Sequence, residues 1–293
     1  MKPSHLLELI FLSAIWGASF MLMKETVPSF GVFALVEVRA AMAALCLLPL
    51  VYFKRQFPDL VANWKKLLFV GAFNTAIPFC LFSYTSIHLD AGLTAILNAT
   101  APMFGAVIAF LYLHERIGLH GLIGLLIGFF GVVVISQDTQ SSNSISLLPV
   151  LSALAATSCY GIAACFMKKH LSGAKSFAVA AGSQVFAAIL LLPAAIYTWP
   201  SVNPSPTTWM FAMILAVVCT GVAYIMYFDL IAKVGPSQAM MVGYLVPVFG
   251  ICWGIIVLGE SLSTQAMIGG TMIIFGVMIT TGILKRKARI KAA

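Results

Sequence analysis

Apolar residues run along this chain for about 20 positions at a time, and polar residues collect in short breaks between the runs. A helix of that length crosses the hydrocarbon core of a bilayer. Ten such runs are legible, at 6–24, 31–51, 66–86, 91–112, 118–135, 147–167, 177–197, 208–230, 236–257 and 265–284. The breaks have loop composition. Val27-Pro28-Ser29 closes the first run, and Lys54, Arg55, Pro58 and Asp59 separate the second from the third. A Pro-rich turn extends from Trp199-Pro200 to Pro206, and the Ser-rich stretch Gln137 to Ser146 is the clearest linker. The first run has a basic start, as a signal peptide does, but it is near full spanning length and nine more follow. It is therefore read as a retained helix.

Composition agrees with this pattern. Of 293 residues, 61% are apolar and 9% charged, against roughly 25% charged in ordinary soluble domains. A soluble fold could not hide so much apolar surface. Ten spans also leave no room for a separate soluble domain. The expected fold class is thus an all-α polytopic membrane protein. The six cysteines, Cys46, Cys80, Cys159, Cys165, Cys219 and Cys252, all lie inside apolar runs without CxxC spacing. They read as small packing residues rather than a zinc site or a disulfide framework.

The net charge of +8 would suggest nucleic acid in a soluble protein. Here the basic residues read as topology signals. With the N-terminus in the cytoplasm, fifteen of the 17 Lys and Arg fall at cytoplasmic ends: Lys2, Lys54, Arg55, Lys65, Lys66, Arg116, Lys168, Lys169, Lys175, Lys233, Lys285, Arg286, Lys287, Arg289 and Lys291. Only Lys24 falls on the other side, and Arg39 lies within a span. One missed span would scramble this division, so both termini are expected in the cytoplasm. No basic patch is interleaved with stacking aromatics outside the spans, and no nucleic-acid partner is expected.

The chain also resembles itself. At a shift of 144, Trp16-Gly17 meets Tyr160-Gly161, Met23-Lys24 meets Met167-Lys168, and Leu47-Leu48-Pro49 meets Leu191-Leu192-Pro193. At a shift of 145, Pro102 meets Pro247, Phe104-Gly105 meets Phe249-Gly250, Glu115 meets Glu260, and Phe130-Gly131-Val132 meets Phe275-Gly276-Val277. The expected organisation is a first five-helix repeat over 1–136, a linker over 137–146 and a second repeat with a basic tail over 147–293. Five is odd, so the second repeat starts on the opposite side of the membrane and is inverted. Inverted repeats that exchange roles are the architecture of many secondary transporters.

These features carry a family resemblance. Ile15-Trp16-Gly17-Ala18-Ser19-Phe20, Val38-Arg39-Ala40, Asn74-Thr75-Ala76-Ile77-Pro78-Phe79 and Ala95-Ile96-Leu97-Asn98-Ala99-Thr100-Ala101-Pro102 lie in spans one to four. The His114-Glu115-Arg116 turn and the Gly121, Gly124, Gly128, Gly131 stripe follow. Over essentially its whole length the chain resembles the EamA family of the drug/metabolite transporter superfamily. The resemblance implies ten helices in two inverted repeats in a bacterial inner membrane, with four helices of each half around a central cavity and the fifth and tenth outside. It implies export of amino acids, drugs or other metabolites without choosing among them. The second half departs at key positions: Asn74 meets Cys219, Asn98 meets Gly243, Glu37 meets Ala181 and Arg39 meets Ser183. The cavity is therefore expected to be chemically lopsided.

Charge inside a bilayer is costly and marks function by default. Glu37 and Arg39 are the charges well inside a span. Two positions apart on a helix, they point about 200° apart and cannot both face one partner. Arg39 binds an anionic group or neutralises a carboxylate, and Glu37 titrates or binds a cationic group; for each, a structural bridge to a neighbouring helix is the alternative. Asn74 and Asn98, near the midplane, serve either the cavity or a helix–helix hydrogen bond. Pro78, Pro102 and Pro247 are expected to kink their spans and act as hinges or static bends. Trp16, Tyr160, Tyr224 and Tyr244 lie deep enough to line the cavity. Glu115 and Glu260 read as caps or gates. The small-residue pattern of span five reads as tight packing and admits a dimer.

There is no Walker A loop, no HExxH, no GxSxG and no Cys/His metal set, so neither an enzyme nor a cofactor is expected. Nor is there a ring of charge or a carbonyl filter for a channel. A secondary transporter of small amphipathic molecules remains, with the bilayer and a small substrate as partners. Proton coupling through Glu37 stands against uncoupled facilitated diffusion, and a non-transporting scaffold is a further alternative.

Overall fold

The computed structural model describes residues 2–137 and 147–282. All of the linker but Gln137, and the basic tail from Lys285, lie outside the described residues. Every described element is helical. In lipid a helix satisfies its own backbone groups, which loops and open strands cannot do. Eight helices among the described residues are long and apolar enough to cross a membrane, α1 (Pro3–Phe30), α2 (Val32–Phe53), α3 (Trp64–His88), α4 (Ala91–Leu113), α5 (Leu119–Ser136), α6 (Leu147–His170), α7 (Ser176–Tyr197) and α8 (Pro206–Val234), and two shorter apolar helices follow, α9 (Val242–Leu258) and α10 (Thr264–Thr280). A turn of helix, Pro236–Ala239, precedes α9, and a short helix, Phe57–Ala62, joins α2 to α3.

One expectation needs correction. The first span does not end at Val27-Pro28-Ser29; α1 runs through Pro28 to Phe30. Gly31 ends it, at φ 75 and ψ 165, and alone separates α1 from α2. That conformation is essentially restricted to glycine. The three prolines sit in different local backbones. Pro102 follows a break in α4 at Ala99–Thr100, and Pro78 follows a π-helical turn at Ala72–Ala76. Pro247, the repeat mate of Pro102, sits inside an unbroken stretch of α9, whose break comes earlier, at Met240–Met241. A second π-helical segment, Ile214–Val222 in α8, has no proline at all.

The most extensive helix pairings map onto one another when five is added to each helix number. Helix α1 packs on α9 and α8, as α6 packs on α4 and α3. Helix α2 packs on α8, as α7 packs on α3, while α2–α7, α4–α9 and α5–α10 are pairs of mates. Ion pairs at the two ends fix the directions. Helix α4 has Asp90 at its start and Glu115 just past its end. The C-terminal part of α1 meets the first through Lys24, and that of α6 meets the second through Lys168. Mates α1 and α6 therefore run in opposite directions, and the repeats are inverted.

Glycines set the closest contacts. A Cβ on Gly17 would lie 2.7 Å from Phe249 Cβ, and one on its mate Gly161 would lie 2.9 Å from the Gly105 nitrogen. Between α5 and α10, Gly124 meets Gly276 and Gly131 meets Gly269, each at 2.6 Å from a built Cβ to a carbonyl oxygen. The glycine face of span five is thus occupied by α10 rather than left free for a second copy.

The two ends of the bundle differ. Ala91 to Leu97, the first piece of α4, is buried throughout, whereas Met103 is the buried residue of the second piece. A Cβ on Gly250 in α9 would meet Ala95 Cβ at 2.4 Å, but its mate Gly105, and Gly243 at the start of α9, have nothing within 4 Å. Helices α4 and α9 are pressed together towards Lys24 and parted towards the end that carries Lys168, Lys66 and Lys233, the basic end.

Candidate functional site

The site is built around Arg39. Its guanidinium is buried, 6% exposed. Nε donates to Thr220 Oγ1 of α8 at 2.9 Å, and Nη1 lies 3.5 Å from Met23 Sδ of α1. The guanidinium carbon stands 3.8 Å from the centre of the Phe79 ring of α3. Tyr160, Tyr224 and Cys219 surround it closely enough to interact with its charge. Among the described residues no carboxylate pairs with it. A guanidinium has five N–H donors, and here a hydroxyl and a thioether engage two of them.

Local backbone explains why these side chains converge. A π-helical turn carries one extra residue and rotates the side chains that follow it, and such turns frequently occur at functional sites. Asn74 and Thr75 lie in the π segment of α3, and Cys219 and Thr220 in that of α8. The Thr220 hydroxyl donates to Leu215 carbonyl oxygen five residues back, at 3.1 Å, a reach that the wider turn permits. The Asn74 side chain lies near the Tyr224 hydroxyl. Tyr160 stacks on Phe82 at 6.0 Å, and Tyr224 stacks on Phe228 at 6.2 Å.

Of the residues expected to line a cavity, the structure brings together Arg39, Asn74, Tyr160 and Tyr224. Trp16 joins at one remove, packing on Tyr227 at 5.1 Å. Asn98 ends the first piece of α4, half-buried, and makes no hydrogen bond to the Arg39 group among the described residues. Tyr244 lies elsewhere, its hydroxyl 2.5 Å from Thr281 Oγ1 beyond the end of α10. Glu37 is half-buried and not paired with Arg39; its Oε2 is buried without a hydrogen-bond partner.

The sequence reading missed three contributors. Thr220 and Met23 look like ordinary packing residues until the π turn and the crossing of α1 aim them at Arg39. Gln184 of α7 is fully buried; its Nε2 donates to Thr75 Oγ1 at 3.3 Å and its Oε1 has no partner. An amide in the middle of an apolar run was the available signal. The lopsidedness expected from the repeat is present in kind. Ser183, mate of Arg39, only returns its hydroxyl to Ala180 carbonyl oxygen at 2.8 Å.

The EamA-like transporter family matches residues 5–137 and 147–282. An uncharacterized transporter of Archaeoglobus fulgidus is 23% identical over 267 residues, covering 90% of this chain and 94% of that protein. A probable amino-acid metabolite efflux pump of Escherichia coli is 25% identical over 291 residues, covering 94% of each. A solved crystal structure at 16% identity shares the fold, with a TM-score of 0.66 over 98% of this chain and 99% of its own.

Proposed function

The chain belongs to the EamA-like transporter family, and we propose that it exports a small carboxylate-bearing metabolite, amino-acid-like in size, across a bacterial inner membrane. The carrying observation is the Arg39 guanidinium: buried among aromatic rings, with spare donors and no protein carboxylate against it. A buried charge is retained at a cost unless something compensates it. A substrate carboxylate fits the planar fork, and the rings of Tyr160, Phe79 and Tyr224 suit an apolar substrate body. The efflux relative from Escherichia coli is named for amino-acid metabolites, which carry such a group. One cation does not suit a polyanion.

Transport proceeds by alternating access between the inverted repeats. The basic end lies in the cytoplasm by its Lys and Arg excess, with both termini on that side. The parting of α4 from α9 at that end then corresponds to a state that loads from inside. The test is a thermal-shift series on the purified full chain, comparing amino acids with the same compounds as primary amides. A bound ligand at about 100 times its dissociation constant stabilises by about 2.7 kcal/mol. Acids that stabilise where their amides do not support the reading; equal response to both sinks the carboxylate assignment.

Two further outcomes are expected. Gly105→Val should keep ligand-induced stabilisation but lose transport in proteoliposomes. Gly105 has open space now, but closure at the basic end would press it as its mate Gly250 is pressed on Ala95. Glu37→Gln should abolish transport driven by a pH gradient while exchange down a substrate gradient continues. The reason is that the unpartnered Oε2 of Glu37 is a carboxyl oxygen free to carry a proton. Full pH-driven transport in the variant would remove Glu37 as the proton carrier, and absence of pH-driven transport in the unaltered protein would leave the uncoupled facilitator as the better account.

A further inference from the structure

Two acid–lysine pairs occupy equivalent places in the inverted repeats. At one end Lys24 Nζ lies 2.8 Å from Glu260 Oε1, and at the other Lys168 Nζ lies 2.5 Å from Glu115 Oε1. Lys24 and Lys168 are mates, and so are Glu260 and Glu115. The turns that hold the acids are also alike. His114 and Gly259 both have left-handed φ, at 55 and 66. The Glu115 and Glu260 amides both return to a carbonyl oxygen six residues back, at 3.2 and 3.0 Å.

The surroundings of the two acids differ. Glu260 is 6% exposed and Glu115 48%. Glu260 also accepts the Ala91 and Gly92 amides at the start of α4, at 2.8 and 3.2 Å, and Lys24 reaches a second acid, Asp90, at 2.7 Å. These contacts bind α1, α4 and the α9–α10 connection together where α4 and α9 are pressed close. The repeat shift of 145 gives the counterparts. Asp90 meets Gly235 and Ala91 meets Pro236. Glycine offers no carboxylate and proline no amide hydrogen. When the basic end closes, Glu115 and Lys168 can form at most a poorer version of the same cluster.

We propose that these clusters are an asymmetric pair of latches, and that the missing acid and missing amide at Gly235-Pro236 bias the empty carrier towards closure at the Lys24 end and opening at the basic end. The inference rests on the alternating-access reading above. It gives that cycle a direction: the empty protein waits with its site open to the basic side, and ligand binding must supply the energy that the weaker latch lacks. A ligand shifts such an equilibrium only through its different affinity for the two states.

Hydrogen–deuterium exchange of the full chain in lipid nanodiscs reads both ends at once. Lys24→Met and Glu260→Gln are expected to raise exchange at the start of α4 and, in the same variants, to lower it at the α4–α5 connection around Glu115. A shift of about fivefold or more at each end is expected, the low side of coupling between linked sites. Pro236→Ala restores the absent amide without altering any residue of the Lys24 cluster, and is expected to lower exchange around Glu115 and raise it at the start of α4. A merely structural ion pair would loosen its own end and leave the other unchanged. That result in Lys24→Met and Glu260→Gln would overturn both the latch and alternating access. Opposed changes at the two ends with no effect of Pro236→Ala would leave alternating access standing and overturn the asymmetry.

Discussion

Arg39→Met is expected to remove carboxylate binding while leaving the melting temperature unchanged or higher. The two parts come from one geometry. A bound carboxylate would take the spare guanidinium donors in a dry, ring-lined setting. Losing one partner of such a buried charged contact costs about 2–5 kcal/mol, which is roughly 30-fold to several thousand-fold in affinity. The protein itself has little to lose. Arg39 gives one hydrogen bond to Thr220, one contact to Met23 and its stack on Phe79, and has no protein carboxylate to strand. Replacing a buried charge by an apolar side chain of similar length is often neutral or stabilising. Arg39→Lys should bind at an intermediate level, because a point charge keeps the attraction but not the planar fork. Isothermal titration with a responding acid, paired with a melting curve for each variant, measures both quantities. A large fall in melting temperature without ligand would mark Arg39 as a strut between α2 and α8 instead.

Gly276→Val is expected to produce the largest loss of stability. A Cβ at Gly276 would fall 2.6 Å from Gly124 carbonyl oxygen, 2.6 Å from the Gly128 nitrogen and 2.8 Å from its Cα. All three are backbone atoms, so no side chain can rotate away and α5 must move off α10. Overpacking of a tight core costs about 1–3 kcal/mol, and the separation would also disturb the reciprocal contact of Gly131 with Gly269. Lipid competes with apolar side chains, so close backbone packing is a main source of helix adhesion here. Melting followed by size-exclusion chromatography in detergent should show earlier unfolding and aggregation. Gly105→Ala is the matched control: with nothing within 4 Å, it should be neutral or gain up to about 1 kcal/mol from helix propensity.

Much of the fold was legible because a bilayer imposes few solutions. Run length located all ten helices, missing mainly the end of α1, which runs on to Phe30, and the start of α9, which comes only at Val242. The repeat shift anticipated residues that the structure gives equivalent roles, such as Glu115 and Glu260, each ion-paired with a lysine that is itself a repeat mate. The end of α1 was misjudged because Pro28 is a conspicuous breaker, but a proline late in a helix can be carried through. Gly31, which does end it, is inconspicuous until its φ is known. The site was half legible. Charge and amide in an apolar run singled out Arg39, Glu37 and Asn74, yet no linear pattern forecasts a π turn, and the π turns aim Asn74 and Thr220. Tyr244 was singled out by depth alone, and depth does not say which face of a helix a ring occupies.

Sequence alone determined the class of molecule, the number of spans, their alternating direction and the inversion of the halves, because hydrophobic run length and an odd repeat count leave no other solution in lipid. The tertiary structure decided which buried polar groups meet. It set Arg39 against Thr220 and Phe79 rather than against Glu37, gave the span-five glycines to α10, and pressed α4 on α9 towards Lys24 while parting them towards the basic end. Those outcomes depend on helix rotation and on contacts between residues more than a hundred positions apart. Local periodicity does not encode either.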